Sequence, residues 1–288
     1  MKALIVGASG QVGRALMNSA PAGVLATGLV RHDVDICDES AVASCVLRHE
    51  PQVIINAAAY TAVDRAETEP DLARSVNVDG TRHLALAARE TGARLIHLST
   101  DFVFDGASSV PYRPDVPTNP LSTYGATKRA GEEAVLGLLP ERAVVLRTAW
   151  VYAAHGSNFV RTMLRVMTAD RRVRVVADQI GTPTSARSVA DAIWQIVARP
   201  QLHGIHHWTD AGAASWYDFA VAIAEEGAQR DLVPRDTVVV PIRTDEYPTR
   251  ARRPPYSVLD KSTLTELGIT PLHWRQRLRE VLGEIANA

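Results

Sequence analysis

Cysteine is almost missing from this 288-residue chain; there are two, Cys37 and Cys45. They cannot build a disulfide framework, neither sits in a CxxC pair, and no Cys/His cluster has zinc-ligand spacing. Two unpaired thiols fit a reducing compartment, so the expected location is cytoplasmic. A charge excess is missing too. With 31 basic and 32 acidic residues the net charge is -1, which leaves no electrostatic footprint for nucleic acid or an anionic membrane. Long apolar runs are absent: nothing approaches the roughly 18–20 residues that span a bilayer. The opening run Met1–Gly7 is too short for a signal peptide and reads as a first strand. Repeats and low-complexity linkers are also lacking, so later segments are expected to form a lobe packed on the first domain. The hydrophobic fraction of 46% is enough for a sizeable core.

Strand-like and helix-like segments alternate through the first half. Strands are expected at Ala3–Val6, Val24–Val30, Val53–Ile55, Arg94–Leu98 and Ala143–Leu146. Helices are expected at Gln11–Ser19, Ser40–His49, Ser122–Leu138 and, as one long amphipathic piece, Asp71–Glu90. This order predicts an α/β fold, a Rossmann-type doubly wound parallel sheet with right-handed crossovers. The second half is less regular: helices at Asn158–Thr168, Val189–Val197, Ser215–Glu226 and Gln276–Ile285, and a strand at Ile205–Trp208. Ser215 is an N-cap candidate with Asp218 three positions on. The expected division is a dinucleotide-binding domain over residues 1–150, receiving parts of later segments, and a smaller mixed substrate lobe over 151–288.

Gly7-Ala8-Ser9-Gly10-Gln11-Val12-Gly13 follows the first strand and opens a helix. Its glycines allow a tight turn and close approach of backbone to a pyrophosphate, and the helix start supplies free N–H groups. A glycine pattern alone is weak; between a strand and a helix at the head of a βαβ unit it is specific. The second strand ends near Arg31, where a Rossmann unit reaches the adenosine ribose. Arg31 can meet a 2′-phosphate, which favours NADPH and leaves NADH open; the bland alternative is a solvated loop charge. Asp35 and Ile36 can bracket an adenine, though this stretch also leads into the next helix, with Asp38 suited as its N-cap.

Ser99-Thr100-Asp101 closes the fourth strand, at the edge of a parallel sheet where ligands bind. Tyr124 and Lys128 lie an i,i+4 step apart at the start of the next helix, so they share one face. Reduction of a ketone by hydride leaves an alkoxide that must receive a proton. A lysine cation would lower the tyrosine's ordinary value near 10. Bringing it towards 7 takes about 4 kcal/mol, large for one charge. Thr100 can hydrogen-bond the carbonyl from the other side. A bare YxxxK is a common helical coincidence; after a glycine turn and a Ser-Thr strand end it is not.

Further runs make the pattern narrower. Asn56-Ala57-Ala58-Ala59-Tyr60-Thr61-Ala62-Val63-Asp64, Ser99-Thr100-Asp101-Phe102-Val103-Phe104-Asp105-Gly106 and Pro120–Lys128 stand in order. Arg147-Thr148-Ala149-Trp150-Val151-Tyr152, Asp178-Gln179-Ile180-Gly181-Thr182-Pro183-Thr184 and Arg253-Pro254 with Ser257-Val258-Leu259 follow. The set resembles the extended short-chain dehydrogenase/reductases, and within them the dTDP-4-dehydrorhamnose reductase family, over nearly the whole chain. The resemblance implies reduction at C4 of dTDP-6-deoxy-L-lyxo-4-hexulose, a dTDP-4-keto-6-deoxyhexose, to dTDP-L-rhamnose by NADPH or NADH. It implies Tyr124 as proton donor, Lys128 on the nicotinamide ribose, Thr100 and Asp101 on the sugar, and Trp150 packed against it. It implies Gly7, Gly10, Gln11, Val12, Gly13, Asp35, Ile36, Ala59, Tyr60, Thr61 and Leu98 along the cofactor, and Gln179 and Thr184 beside the nucleotide. Phe102 stands where related dehydratases carry the glutamate of a T-D-E run, which speaks against dehydration. Phe102 and Ala149 replace the family's tyrosine and serine.

Other features are set aside. His206 and His207 on a strand point to opposite faces and do not converge on a metal with His203. Arg171, Arg172 and Arg174 read as a solvated turn, and Asp64, Glu67 and Glu69 as a helix-start charge set. Two competing functions stay open: a ketoreductase for another dTDP-4-keto sugar, and a dinucleotide-binding regulatory subunit without catalysis. The intact Thr100, Tyr124 and Lys128 speak against the second. A homodimer is left open.

Overall fold

The computed structural model describes residues 1–288. Its main elements are β1 (Lys2–Val6), α1 (Gln11–Asn18), β2 (Leu25–Leu29), α2 (Glu39–His49), β3 (Val53–Asn56), α3 (Thr81–Thr91), β4 (Arg94–Thr100), α4 (Thr123–Leu138), β5 (Ala143–Thr148), α5 (Phe159–Ala169), β6 (Arg172–Val176), α6 (Ala186–Val197), β7 (Gly204–His207), α7 (Trp216–Ala228), β8 (Val238–Ile242) and α8 (Trp274–Ala286). Six strands form one sheet in the order β7-β5-β4-β3-β1-β2, and every pairing is parallel. β3 and β5 are buried at every residue, because helices cover both faces. Leu16 of α1 and Ile193 and Trp194 of α6 pack on one face with Ile5, Ile55 and Val144. Val42, Leu84 and Val135, from α2, α3 and α4, pack on the other with Leu4, Ile54 and Val145. Most of the polar residues buried in this sheet gather at the carboxyl ends of its strands: Asn56, Ser99, Thr100, Arg147, Thr148 and His207, with His97 buried in the middle of β4. That edge is where the strands stop being core and begin to line a site.

Strand β7 and helix α6 lie beyond residue 150 and yet complete the large sheet and its cover. The remaining segments build a second cluster in which α5, α7 and α8 pack around Leu164, Phe219, Ile223 and Leu278. Ser215 caps α7 in a reciprocal capping box with Asp218. No helix is long and apolar enough to cross a membrane.

Three expectations are corrected. The long helix over Asp71–Glu90 is broken: Pro70–Arg74 is α-helical, Ser75–Gly80 is a π segment, and α3 follows. The wider turn brings Asn77 inward and seats Gly80 against Ile36, where a Cβ would lie 2.6 Å from the Ile36 side chain. Arg172 and Arg174 are not in a solvated turn but on strand β6, which pairs in parallel with β8. In Arg172–Val176 the valines at 173 and 175 point inward and the arginines outward, so the charges hid a period-2 pattern. Asp64, Glu67 and Glu69 are more than helix-start charges. Asp64 pairs with Arg253 at 2.8 Å, Glu67 accepts from the Thr123 N–H at 2.8 Å, and Glu69 accepts from the Tyr60 hydroxyl at 2.5 Å.

Candidate active site

The strand order reverses between β1 and β3, which opens a crevice at their carboxyl ends. The glycine turn sits in it. Gly7 has φ +86°, and a Cβ there would lie 2.6 Å from the Ala58 nitrogen; one on Gly13 would lie 2.2 Å from the Gly7 oxygen. Both positions need glycine, and the turn lies directly against the Ala57-Ala58 backbone after β3. Gly10 caps α1 without a side-chain hydrogen bond, so the first-turn N–H groups remain available to an anion. Those features fit a dinucleotide pyrophosphate.

Around the turn the named residues are placed unequally. Gln11 accepts from Asn158 Nδ2 at 2.8 Å, which ties α1 to the loop before α5. Val12 packs partly on the core. Arg31 is exposed beyond β2. Asp35 is exposed, and its Oδ1 accepts from the Cys37 N–H at 3.0 Å. Ile36 is buried. Ala59 is half-buried and Thr61 exposed. Between them, the Tyr60 backbone is held by Asn77, whose Oδ1 accepts from the Tyr60 N–H at 2.9 Å. The Asn77 amide also donates to the Tyr60 carbonyl at 3.2 Å and to Thr127 Oγ1 of α4 at 3.1 Å. Asn77 thus locks the loop after β3 to the helix carrying Tyr124. Nothing in its sequence context announces this.

Thr100, Asp101 and Tyr124 meet at the end of β4. Ser122 caps α4, accepting from the Gly125 N–H at 3.2 Å. Gly125 lies so close to Phe102 that a Cβ would sit 2.2 Å from its carbonyl oxygen. This contact presses the start of α4 onto the strand end. The Phe102 ring meets Tyr124 edge-on, with centroids 5.6 Å apart. The Thr100 hydroxyl faces Tyr124 and donates to Asp101 Oδ1 at 3.1 Å. Asp101 is buried, and its Oδ2 has no hydrogen-bond partner. Burial pushes its carboxyl up to about 6.

The expected lowering of Tyr124 by Lys128 is not found. Burial pushes Tyr124 up to about 12; the Thr100 hydroxyl pulls against this and Asp101 adds to it. Lys128 turns its ammonium nitrogen to strand β4. Its Nζ donates to the Leu98 carbonyl at 2.7 Å and lies 3.3 Å from His97 Nε2. Burial itself holds Lys128 down to about 8, with Glu132 working the other way. One turn further along α4, Glu132 takes two bonds from Arg147, at 2.9 and 2.7 Å, and one from Ser99. Arg147 also lies over the Phe104 ring, 5.1 Å from its centroid.

Trp150 follows β5 with φ +49°. Its ring stacks on Trp216 at 3.5 Å between centroids and 5° between planes, and Gly181 closes on its edge. Trp216 and Phe159 then line a cavity of about 300 Å³ with Arg174, Gln179, Tyr247 and Arg253. Gln179 therefore faces the cavity, while Thr184 is buried, its hydroxyl on the Thr182 carbonyl at 3.1 Å. Trp216, Phe159 and Arg174 were not foreseen as site residues. The one signal was an aromatic pair, Trp216-Tyr217, placed directly after a helix cap.

A glycine turn at the switch point of a parallel sheet, with Thr100 at the end of β4 and Tyr124 and Lys128 on α4 beside it, defines a Rossmann-type α/β protein of the short-chain dehydrogenase/reductase kind. Comparison with known proteins narrows this. The family described as RmlD substrate binding domain matches residues 1–287, and the chain belongs to it, the family of dTDP-4-dehydrorhamnose reductases. It is similar to a dTDP-4-dehydrorhamnose reductase of Streptomyces griseus, 45% identical over 96% of this chain and 91% of that protein. A crystal structure of a dTDP-4-dehydrorhamnose reductase from Clostridium acetobutylicum superposes with a TM-score of 0.93 at 38% identity, covering 99% of each chain. Another from Bacillus anthracis, in complex with NADP, gives 0.92 at 34% identity, covering 98% of this chain and 99% of that one.

Proposed function

We propose that this protein is an NADPH-dependent oxidoreductase that reduces the C4 ketone of dTDP-4-dehydrorhamnose to dTDP-L-rhamnose. The observation that carries the reading is the meeting of Thr100, Asp101 and Tyr124 at the carboxyl end of β4, beside the glycine turn at the β1/β3 switch. When bound, the reduced nicotinamide supplies hydride. Gly7, Gly10, Gln11, Val12 and Gly13 hold its pyrophosphate side, with Arg31, Asp35, Ile36, Ala59, Tyr60, Thr61 and Leu98 along the rest of its path. Tyr124, which keeps its proton firmly at neutral pH, delivers it to the oxygen that hydride addition makes basic. Thr100 steadies that oxygen and Lys128 reaches the nicotinamide ribose. Asp101 and Trp150 contact the sugar. The cavity beside Trp216 accepts the nucleotide end, where Arg174 and Arg253 meet the diphosphate charge.

In this division residues 1–150 mainly serve the dinucleotide and 151–288 the sugar nucleotide. The free Cys37 and Cys45 suit a cytoplasmic enzyme. The test is loss of reduced-nicotinamide absorbance with NADPH and the dTDP-4-keto sugar made by the upstream enzymes, with the product's C4 configuration read by NMR. Turnover to dTDP-L-rhamnose is expected. Tight NADPH binding with no turnover would overturn the enzyme reading, and turnover confined to a different 4-keto sugar would overturn the substrate.

A further inference from the structure

Lys128 is 2% exposed and has no carboxylate within ion-pairing distance; the carboxylate on its helix, Glu132, is engaged by Arg147. Its nitrogen has two neighbours, the Leu98 carbonyl and His97 Nε2. His97 is on β4, wholly buried, and its ring is held from both sides. On the Nδ1 side it meets Asn56 Nδ2 at 3.1 Å. The orientation of that amide is set independently: Asn56 Oδ1 accepts from the Ala58 N–H at 3.1 Å, and its Nδ2 reaches Thr81 Oγ1 at 3.4 Å. Turning the amide over would set its NH₂ against the Ala58 N–H, leaving two buried donors opposed.

Asn56 therefore donates to Nδ1, which must be unprotonated. A neutral imidazole then carries its hydrogen on Nε2. Burial excludes the charged ring, since it holds His97 well below the usual histidine range and the Lys128 cation lowers it further. The Nε2–H points at Lys128 Nζ. An ammonium has no lone pair to accept it, whereas an amine has one.

We propose that His97, held as the Nε2–H tautomer by Asn56, is a positioning residue that favours the amine form of Lys128 over the ammonium. The proposal rests on the ketoreductase reading for its catalytic consequence, but not for its structural content. In the amine form one N–H of Lys128 donates to Leu98, the lone pair accepts from His97, and the remaining N–H is free for the site. Gain of a proton by Nζ ends the His97 bond, so the charge of Lys128 is set from the core side of the sheet. The other groups that face the pair are accounted for. Glu132 on α4 favours the cation but is neutralised by Arg147 of β5. Asn77 is committed to Tyr60 and Thr127. Asp101, at the end of β4, bears on Tyr124.

Two measurements on the intact protein test it. The first is ¹⁵N–¹H correlation of the imidazoles, with His97 assigned by its loss in His97→Gln. The expected pattern is a protonated Nε2 and an unprotonated Nδ1, unchanged from pH 5.5 to 9. An Nδ1–H pattern, or titration within that range, overturns the proposal whether or not the protein turns over substrate. The second is the pH profile of kcat/KM. In His97→Gln the side-chain oxygen can accept from the ammonium, so the alkaline limb is expected to move up by about one pH unit. The variant should then lose least, relative to wild type, at the highest pH. A uniform loss at every pH would mean a structural role only and would overturn the proposal. A normal tautomer pattern in a protein with no turnover would sink the ketoreductase reading while leaving the His97 assignment in place.

Discussion

Two turns of helix α4 carry buried charge of opposite kinds. Glu132, in its buried third turn, is matched in full: two bonds from Arg147 and one from Ser99, with both ionic side chains 3% exposed. Lys128, one turn earlier and facing the crevice, is met only by neutral groups. The first arrangement holds a charge still. The second leaves a charge that environment can add or remove. Burial costs an ion several kcal/mol unless partners return it, so the same helix uses full compensation where it needs rigidity and partial compensation where chemistry occurs.

The comparison can be broken most forcefully at Glu132. Glu132→Ala leaves Arg147 buried without its partner and should cost about 3–5 kcal/mol, read from urea unfolding; a loss below about 1 kcal/mol would mean the pair is not the anchor described. Tyr124→Phe removes the proposed proton donor and little else. Turnover should fall about 10²-fold or more, equivalent to about 2.7 kcal/mol, with NADPH affinity largely kept; full activity would remove Tyr124 from the reaction.

Asp210 supplies a control outside the site. It is buried with Oδ1 unpartnered, and burial pushes it up to about 6 from 3.8. Because the folded value is raised, its contribution is present below pH 3.8 and is lost as pH rises through 6. Asp210→Asn should therefore be the more stable protein at pH 7, by about 2–3 kcal/mol, with the gap closing below pH 4. A gap that does not change with pH would show that the charge is compensated after all. Gly125→Ala completes the series. A Cβ 2.2 Å from the Phe102 oxygen must push α4 off the strand end, at about 1–3 kcal/mol by thermal melting. Turnover should fall further than stability does, because Tyr124 is the neighbouring residue; unchanged turnover would detach the helix start from the site.

Much of the parallel half was legible, because its signals are local. β1, the glycine turn and α1 follow each other within eighteen residues, and their apolar periods are clean. The break over Ser75–Gly80 was not legible, since it arises from contacts with Ile36 and Tyr60, outside its own segment. Strand β6 was missed because its outward arginines looked like a charge cluster, and its partner β8 lies more than sixty residues away. Trp150 was recognisable only through its motif. Its stacking on Trp216 depends on a helix from a different part of the chain.

By itself, the sequence determined the order of the elements, the glycine turn, and the placing of Thr100 at a strand end with Tyr124 and Lys128 on the helix that follows. Those follow from short-range geometry: where a strand must stop, where only glycine fits, and which side chains share a helix face. The tertiary structure alone decided which charges are compensated. Tyr124 rises because burial outweighs the help it receives, and Lys128 falls because burial outweighs the opposing pull of Glu132. Desolvation and hydrogen-bond direction depend on everything packed around a group, and no spacing along the chain encodes them.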